Sequence, residues 1–223
     1  MKRGFLLLAI LVLFIGNVVW AQSLFDEAFA AKERGEVEKA LSLFEECIQK
    51  GERVLDAYWE AGNLLLAQGR YRKAFSMAQE AIPIFEEYLE SHSEDHVNWF
   101  RLGYVFELRS ASGVVQEWDK AKECFTKALE LQPENSFYLL HLGYVLYKMG
   151  NREEAVSILS GILEKYPEDF ETRYWLAVVL EAQRRYKEAR EELRFILNHA
   201  PEGFGRLREA EELLRRVERK VEQ

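Results

Sequence analysis

His92 and His96 stand four residues apart in the stretch "SHSEDH", with Asp95 between them. On a helix that spacing brings two imidazoles to one face, which is the beginning of a zinc site. No further ligand pattern accompanies them, so no metal is expected. His141 and His199 are isolated within helical patterns. The carboxylate pairs Glu45-Glu46 and Glu191-Glu192 belong to charged, solvated helix faces rather than to an acid–base pair in a cleft. No serine occupies a G-x-S-x-G turn, and neither a glycine-rich phosphate loop nor a paired-cysteine metal motif occurs. Cys47 and Cys124 lie far apart in the chain, each inside a helical pattern, and read as two separate buried thiols. The sequence therefore implies no enzyme and no cofactor. The chemistry left is recognition, carried by aromatic side chains.

The elements that must position those rings are helical. Hydrophobic residues make up 48% of the 223 residues and only four are proline, which together favour an all-α core. The net charge of −8 argues against a nucleic-acid partner, which needs a basic stripe. The first 21 residues, "MKRGFLLLAILVLFIGNVVWA", combine Lys2 and Arg3 with an apolar run and end on small-residue cleavage signals. They read as a signal peptide cut after Ala21, the competing reading being an N-terminal membrane anchor. Either way the remainder faces outward, because the basic residues stay inside. The expected location is extracytoplasmic, a bacterial periplasm, with membrane contact only through this segment if it is uncleaved. Its removal leaves 38 acidic against 28 basic residues.

The rest of the chain repeats itself. Pro133, Pro167 and Pro201 are spaced by 34 residues, as are Ala121, Ala155 and Ala189. The same period links Gly143 with Ala177, Gly35 with Gly69, Ala40 with Ala74, and Ala28 with Gly62. A fixed period of this length means a stack of supersecondary units. Each period holds two helical patterns, the first stopping near a glycine such as Gly150 and the second before a proline such as Pro167. The short turn between them makes the pair antiparallel. Gly143 sits inside a helical pattern, where glycine costs about 1 kcal/mol against alanine. It reads as the point where a helix of one repeat closely approaches its neighbour.

These residues resemble the tetratricopeptide repeat (TPR) family. Trp99, Leu102, Gly103 and Phe106, then Ala121, Phe125, Ala128 and Pro133, match one unit of its motif. Leu142, Gly143, Gly150, Ala155 and Pro167 mark the next. Leu176, Ala177, Tyr186, Ala189 and Pro201 mark the last. Gly62, Gly69, Tyr71, Ala74 and Ala81 mark an earlier unit, and Ala28, Gly35, Ala40 and Phe44 the first. The resemblance implies a right-handed α-solenoid of five antiparallel helix pairs, in units 21–54, 55–88, 96–135, 136–169 and 170–203, with the array spanning 22–203. Residues 204–223 form a capping helix whose face carries Leu207, Ala210, Leu214, Val217 and Val221. "YLESHSED" adds about a turn between the second and third units. Six extra residues around Arg109–Glu117 predict a lengthened helix or a protruding loop.

In the family the first helix of each pair lines a concave surface. The positions three before and one after the small packing residue point into it. Carried over, these are Phe25 and Phe29, Trp59 and Asn63, Phe100 and Tyr104, Leu140 and Tyr144, and Tyr174 and Val178. Leu66 and Tyr147 extend the row by a turn. Seven of those ten paired positions are aromatic in a chain that is 13% aromatic, so the face is enriched in rings. The expectation is an exported scaffold or adaptor that binds a protein or peptide through this groove, in cell-envelope assembly. An apolar small molecule assisting transport, and self-association through the same face, are the competing occupants. A family variant that grips chaperone C-termini needs a lysine where Trp59 stands and is not expected.

Overall fold

A computed structural model describes residues 23–113 and 115–222. The proposed signal segment, 1–21, lies outside the described residues. Among the described residues the chain is all-α, with eleven helices and no strand. They are α1 (Leu24–Glu33), α2 (Val37–Lys50), α3 (Val54–Ala67), α4 (Tyr71–Ser91), α5 (His96–Ala111), α6 (Trp118–Leu131), α7 (Ser136–Lys148), α8 (Arg152–Lys165), α9 (Phe170–Ala182), α10 (Tyr186–His199) and α11 (Leu207–Val221). The fold class is the helical-repeat solenoid. None of these helices is long and apolar enough to cross a membrane.

The chain divides into two compact units between Ala81 and Ile82, within α4. Pro83 follows two residues later inside the same helix. In the first unit α1 packs on α2 and α2 on α3. Its core joins Phe25, Ala28, Phe44, Cys47, Ala57, Ala61, Leu65 and Ala74. In the second unit each helix from α5 to α11 packs on the next. The first helices of successive pairs also touch, α5 on α7 and α7 on α9.

Local sequence explains where the helices start and stop. The first helices of four pairs carry a polar cap. Ser23, Asp95, Asn135 and Asp169 each accept a backbone N–H from the first turn of α1, α5, α7 and α9. The exits are equally regular. Gly35, Gly69 and Gly150 have φ between 67° and 89°, and each turn is closed by a pair of backbone hydrogen bonds to the preceding helix. The fourth member of this series, 34 residues after Gly150, is Arg184, held at φ 63° by the same pair of bonds. Pro133, Pro167 and Pro201 stand two residues beyond the ends of α6, α8 and α10.

Three expectations are adjusted. A Cβ on Gly143 would lie 3.0 Å from Leu159 Cδ2, on α8. The close approach is therefore within one helix pair, not between neighbouring repeats. The buried row of α11 is Ala210, Leu213 and Val217, with Leu207, Leu214 and Val221 at its margins. Leu213 replaces Leu214 at the centre because the seam advances by three residues and then four. The extra residues around Arg109–Glu117 do two things. They extend α5 to 16 residues, against 13 for α7 and α9, and they form the connection to α6. Arg109 and Glu117 pair at 2.9 Å and the Glu117 N–H donates to Ser110 Oγ at 2.8 Å, so the connection is pinned at its base.

Candidate partner-binding face

The predicted rings divide into floor and surface. Phe25, Phe100 and Leu140 are buried and belong to the core. The cause is packing within each pair. Phe25 lies 5.5 Å from Phe44 of α2, and Phe100 lies 5.4 Å from Phe125 of α6. Leu140 joins the core that Leu146 and Leu159 share. In the first unit Phe29 is 39% exposed, while Trp59 and Asn63 are half-buried and Leu66 packs on the core. Phe25 and Phe29 line a cleft of about 710 Å³ with Ala30 and Arg53, whose guanidinium lies 3.9 Å from the Phe25 ring centre.

The second unit gathers the remaining rings on its first helices. Tyr104, Tyr144, Tyr147, Tyr174 and Val178 are all half-buried. Tyr104 of α5 contacts His141 of α7 at 5.4 Å between ring centres. The His141 Nδ1–H donates to Glu107 Oε2 at 2.8 Å. Glu107 is only 7% exposed, so this bond satisfies a carboxylate that would otherwise be costly to bury. Burial and the nearby Glu107 carboxylate push the Tyr104 phenol above its ordinary pKa.

Tyr144 stands at the centre. Its ring lies 6.0 Å from Trp118 at the start of α6 and 4.6 Å from Trp175 of α9, both edge-on. Trp175 continues to Tyr174 at 5.5 Å. These four rings run as a ladder across α6, α7 and α9. A cation stands at each end. Lys148 Nζ lies 5.8 Å from the Trp118 ring centre and 5.7 Å from that of Tyr144. The Arg206 guanidinium lies 5.1 Å from both Tyr174 and Trp175. Glu171 holds that end together, accepting from Arg206 Nε at 2.6 Å and from Trp175 Nε1 at 3.0 Å. Burial, reinforced by Glu107 and Tyr147 and partly opposed by Arg206, pushes the Tyr144 phenol to about 12. It therefore stays protonated and remains a hydrogen-bond donor.

Trp118, Trp175, His141, Glu107, Lys148 and Arg206 were not among the sequence candidates. His141 and Trp175 occupy the position two before the small packing residue, next to Leu140 and Tyr174, so the same periodicity contains the signal. Trp118 follows the extra residues and was hidden by them.

His92 and His96 do not converge. His92 follows the last residue of α4, stacks on Tyr88 and contacts its carbonyl, whereas His96 opens α5 and meets the Tyr138 hydroxyl. Asp95 is committed to capping α5. Among the described residues no group of three potential ligands is positioned for a metal ion.

The tetratricopeptide repeat model matches residues 25–86 and 140–194, and a second model of that repeat matches 119–135. The chain belongs to the tetratricopeptide repeat family. Among TPR relatives, the repeat-containing protein MJ1428 of Methanocaldococcus jannaschii is 24% identical over 155 residues, covering 70% of this chain and 27% of that protein. The BBSome complex member BBS4 of Bos taurus is 22% identical over 174 residues, covering 66% of this chain and 32% of its own length. The chain thus spans about a third or less of the curated relatives it matches. Of solved TPR structures, TTC0263 from Thermus thermophilus superposes with a TM-score of 0.61 at 17% identity, over 90% of this chain and 98% of that one. YrrB, described as a TPR protein with an unusual peptide-binding site, gives 0.58 at 20% identity over 88% and 90%. At these identities the likeness establishes the fold. TPR proteins of this kind act as protein-interaction scaffolds and typically bind protein or peptide partners.

Proposed function

We propose that this TPR chain is an exported scaffold that binds a protein segment on the aromatic face of its second unit and serves cell-envelope assembly. The observation that carries the binding part is the ladder Trp118–Tyr144–Trp175–Tyr174, half-buried and flanked by cations. Aromatic anchors of this kind dominate the energetics of peptide recognition because they bury large area with little side-chain freedom to lose. The export part rests on the residues of segment 1–21. The role is binding rather than catalysis: the polar groups of the face are engaged in holding it, with Glu107 on His141 and Glu171 on Arg206 and Trp175.

The test is a crosslinking pull-down from envelope extracts. It compares the native chain with Trp118→Ala/Tyr144→Ala/Trp175→Ala, after circular dichroism has shown equal helix content. The proposal expects the partner band to disappear with the triple variant. Equal recovery by both proteins would overturn it. Export is tested separately, by the intact mass of the protein recovered from the envelope fraction, which is expected to begin at Gln22.

A further inference from the structure

We infer that the segment bound on the ladder combines apolar residues with an acidic one whose carboxylate pairs with Lys148. The inference rests on the reading that this face binds a protein segment and adds the partner's chemistry.

Glu107 is engaged by His141, and Glu171 by Arg206 and Trp175. Lys148 has no carboxylate partner among the described residues. It is an exposed ammonium resting near two ring faces, Trp118 and Tyr144. That placement is favourable without neutralising the charge, because a ring quadrupole attracts a cation but carries no net charge. An incoming carboxylate therefore finds an ammonium already oriented, with part of its ordering cost met before binding.

The rings point the same way. Each end of the ladder already holds one of the chain's own cations, Lys148 at Trp118 and Tyr144, and Arg206 at Tyr174 and Trp175. A lysine or arginine of a partner would have to displace one of them or sit beside it. Like-charge juxtaposition works against such partners, so the arrangement selects against basic segments as well as for acidic ones. The middle of the ladder, Tyr144 on Trp175, is left for apolar side chains. The protonated Tyr144 hydroxyl adds a donor that suits an acceptor on the partner.

The experiment is selection of random decapeptides displayed on phage against the immobilised native chain, Lys148→Gln and Lys148→Glu. Lys148 is exposed on the last turn of α7, so neither change disturbs the core. The native chain is expected to enrich peptides with Leu, Phe or Pro beside Asp or Glu, and to deplete Lys and Arg. Those peptides should bind Lys148→Gln about tenfold more weakly, the loss of one charge-assisted contact. Lys148→Glu should shift the selection toward basic residues. Peptides that are recovered on the native chain but show no acidic enrichment, or that bind Lys148→Gln equally well, would overturn the acidic-partner inference and leave peptide binding standing. If no peptide is recovered that Trp118→Ala/Tyr144→Ala/Trp175→Ala fails to bind, both readings fall.

Discussion

Three helix glycines look alike in sequence and differ in what surrounds them. A Cβ on Gly103 would come within 2.7 Å and 2.8 Å of two carbons of the buried Phe125 ring and 3.1 Å from Cys124 Cβ. Phe125 is confined by Phe100 and His141, so the ring has little room to yield. Gly103→Ala is expected to lower stability by about 1–3 kcal/mol, the overpacking cost exceeding the helix gain. Gly62, in α3, has nothing within 4 Å of the added Cβ, so Gly62→Ala is expected to raise stability by about 0.5–1 kcal/mol. Gly143 lies between them, against the flexible Leu159 side chain. Urea titration of the variants checks the order. The same reasoning applies to Arg184. A side chain at φ 63° costs about 1–2 kcal/mol, which glycine avoids at the three equivalent turns. Arg184→Gly is expected to raise the urea midpoint, and Gly150→Ala to lower it. Period 34 picks out Gly62 and Gly143 in the sequence and the family motif picks out Gly103, but neither reports which glycine faces a ring and which faces open space.

At the scale of the element, the cap of α5 carries a pH dependence. Burial opposes ionisation of Asp95, but the Asn98 N–H and side-chain amide, the Tyr88 hydroxyl and the Val97 N–H outweigh it and hold the carboxyl below its ordinary value. A carboxyl depressed in the folded state stabilises fully above its unfolded pKa of about 3.9 and loses that contribution as pH falls through the lower folded value. Thermal melts from about pH 6 to pH 2 are therefore expected to show α5 stability lost at the acid end, with a shallower slope in Asp95→Asn, which still caps but does not titrate. Asp169 has a second duty, since its other oxygen accepts from the fully buried Thr172 hydroxyl at 2.8 Å. Asp169→Ala is expected to cost about 1–2 kcal/mol in a urea titration, losing a cap and orphaning that hydroxyl. Helix pairs, their turns and their proline exits were legible in the sequence because they depend on local residue chemistry. The aromatic face was legible only in part. The family rule selected Phe100 and Leu140, which the neighbouring helix buries. It passed over Trp175 and Trp118, whose placement depends on how successive helices pack and on the length of one connection.

For the whole molecule, each compact unit holds one buried free thiol, Cys47 in the first and Cys124 in the second. Burial, with Glu123 and Glu86 adding to it, pushes Cys124 to about 12, and burial with Glu52 raises Cys47. Neither is a ready nucleophile at neutral pH. Titration with a thiol reagent is expected to register almost nothing in native buffer and two thiols per chain in denaturant. A fast-reacting thiol in the native state would contradict the placement of these side chains. An oxidising compartment then poses little hazard to this fold, since oxidation proceeds through the thiolate.

The proline within α4 bears on how the molecule opens in time. Proline brings no N–H, so the Gln79 carbonyl lacks the donor that a helix ordinarily supplies four residues on. That gap falls beside the division at Ala81, in the one helix that contributes Ala74 to the first core and Phe85 and Leu89 to the buried residues of the second unit. Amide deuteration read residue by residue should find protection declining along α4 near Pro83 and recovering on either side. The two units would then exchange with separate opening free energies, and denaturation would follow two cooperative steps instead of one.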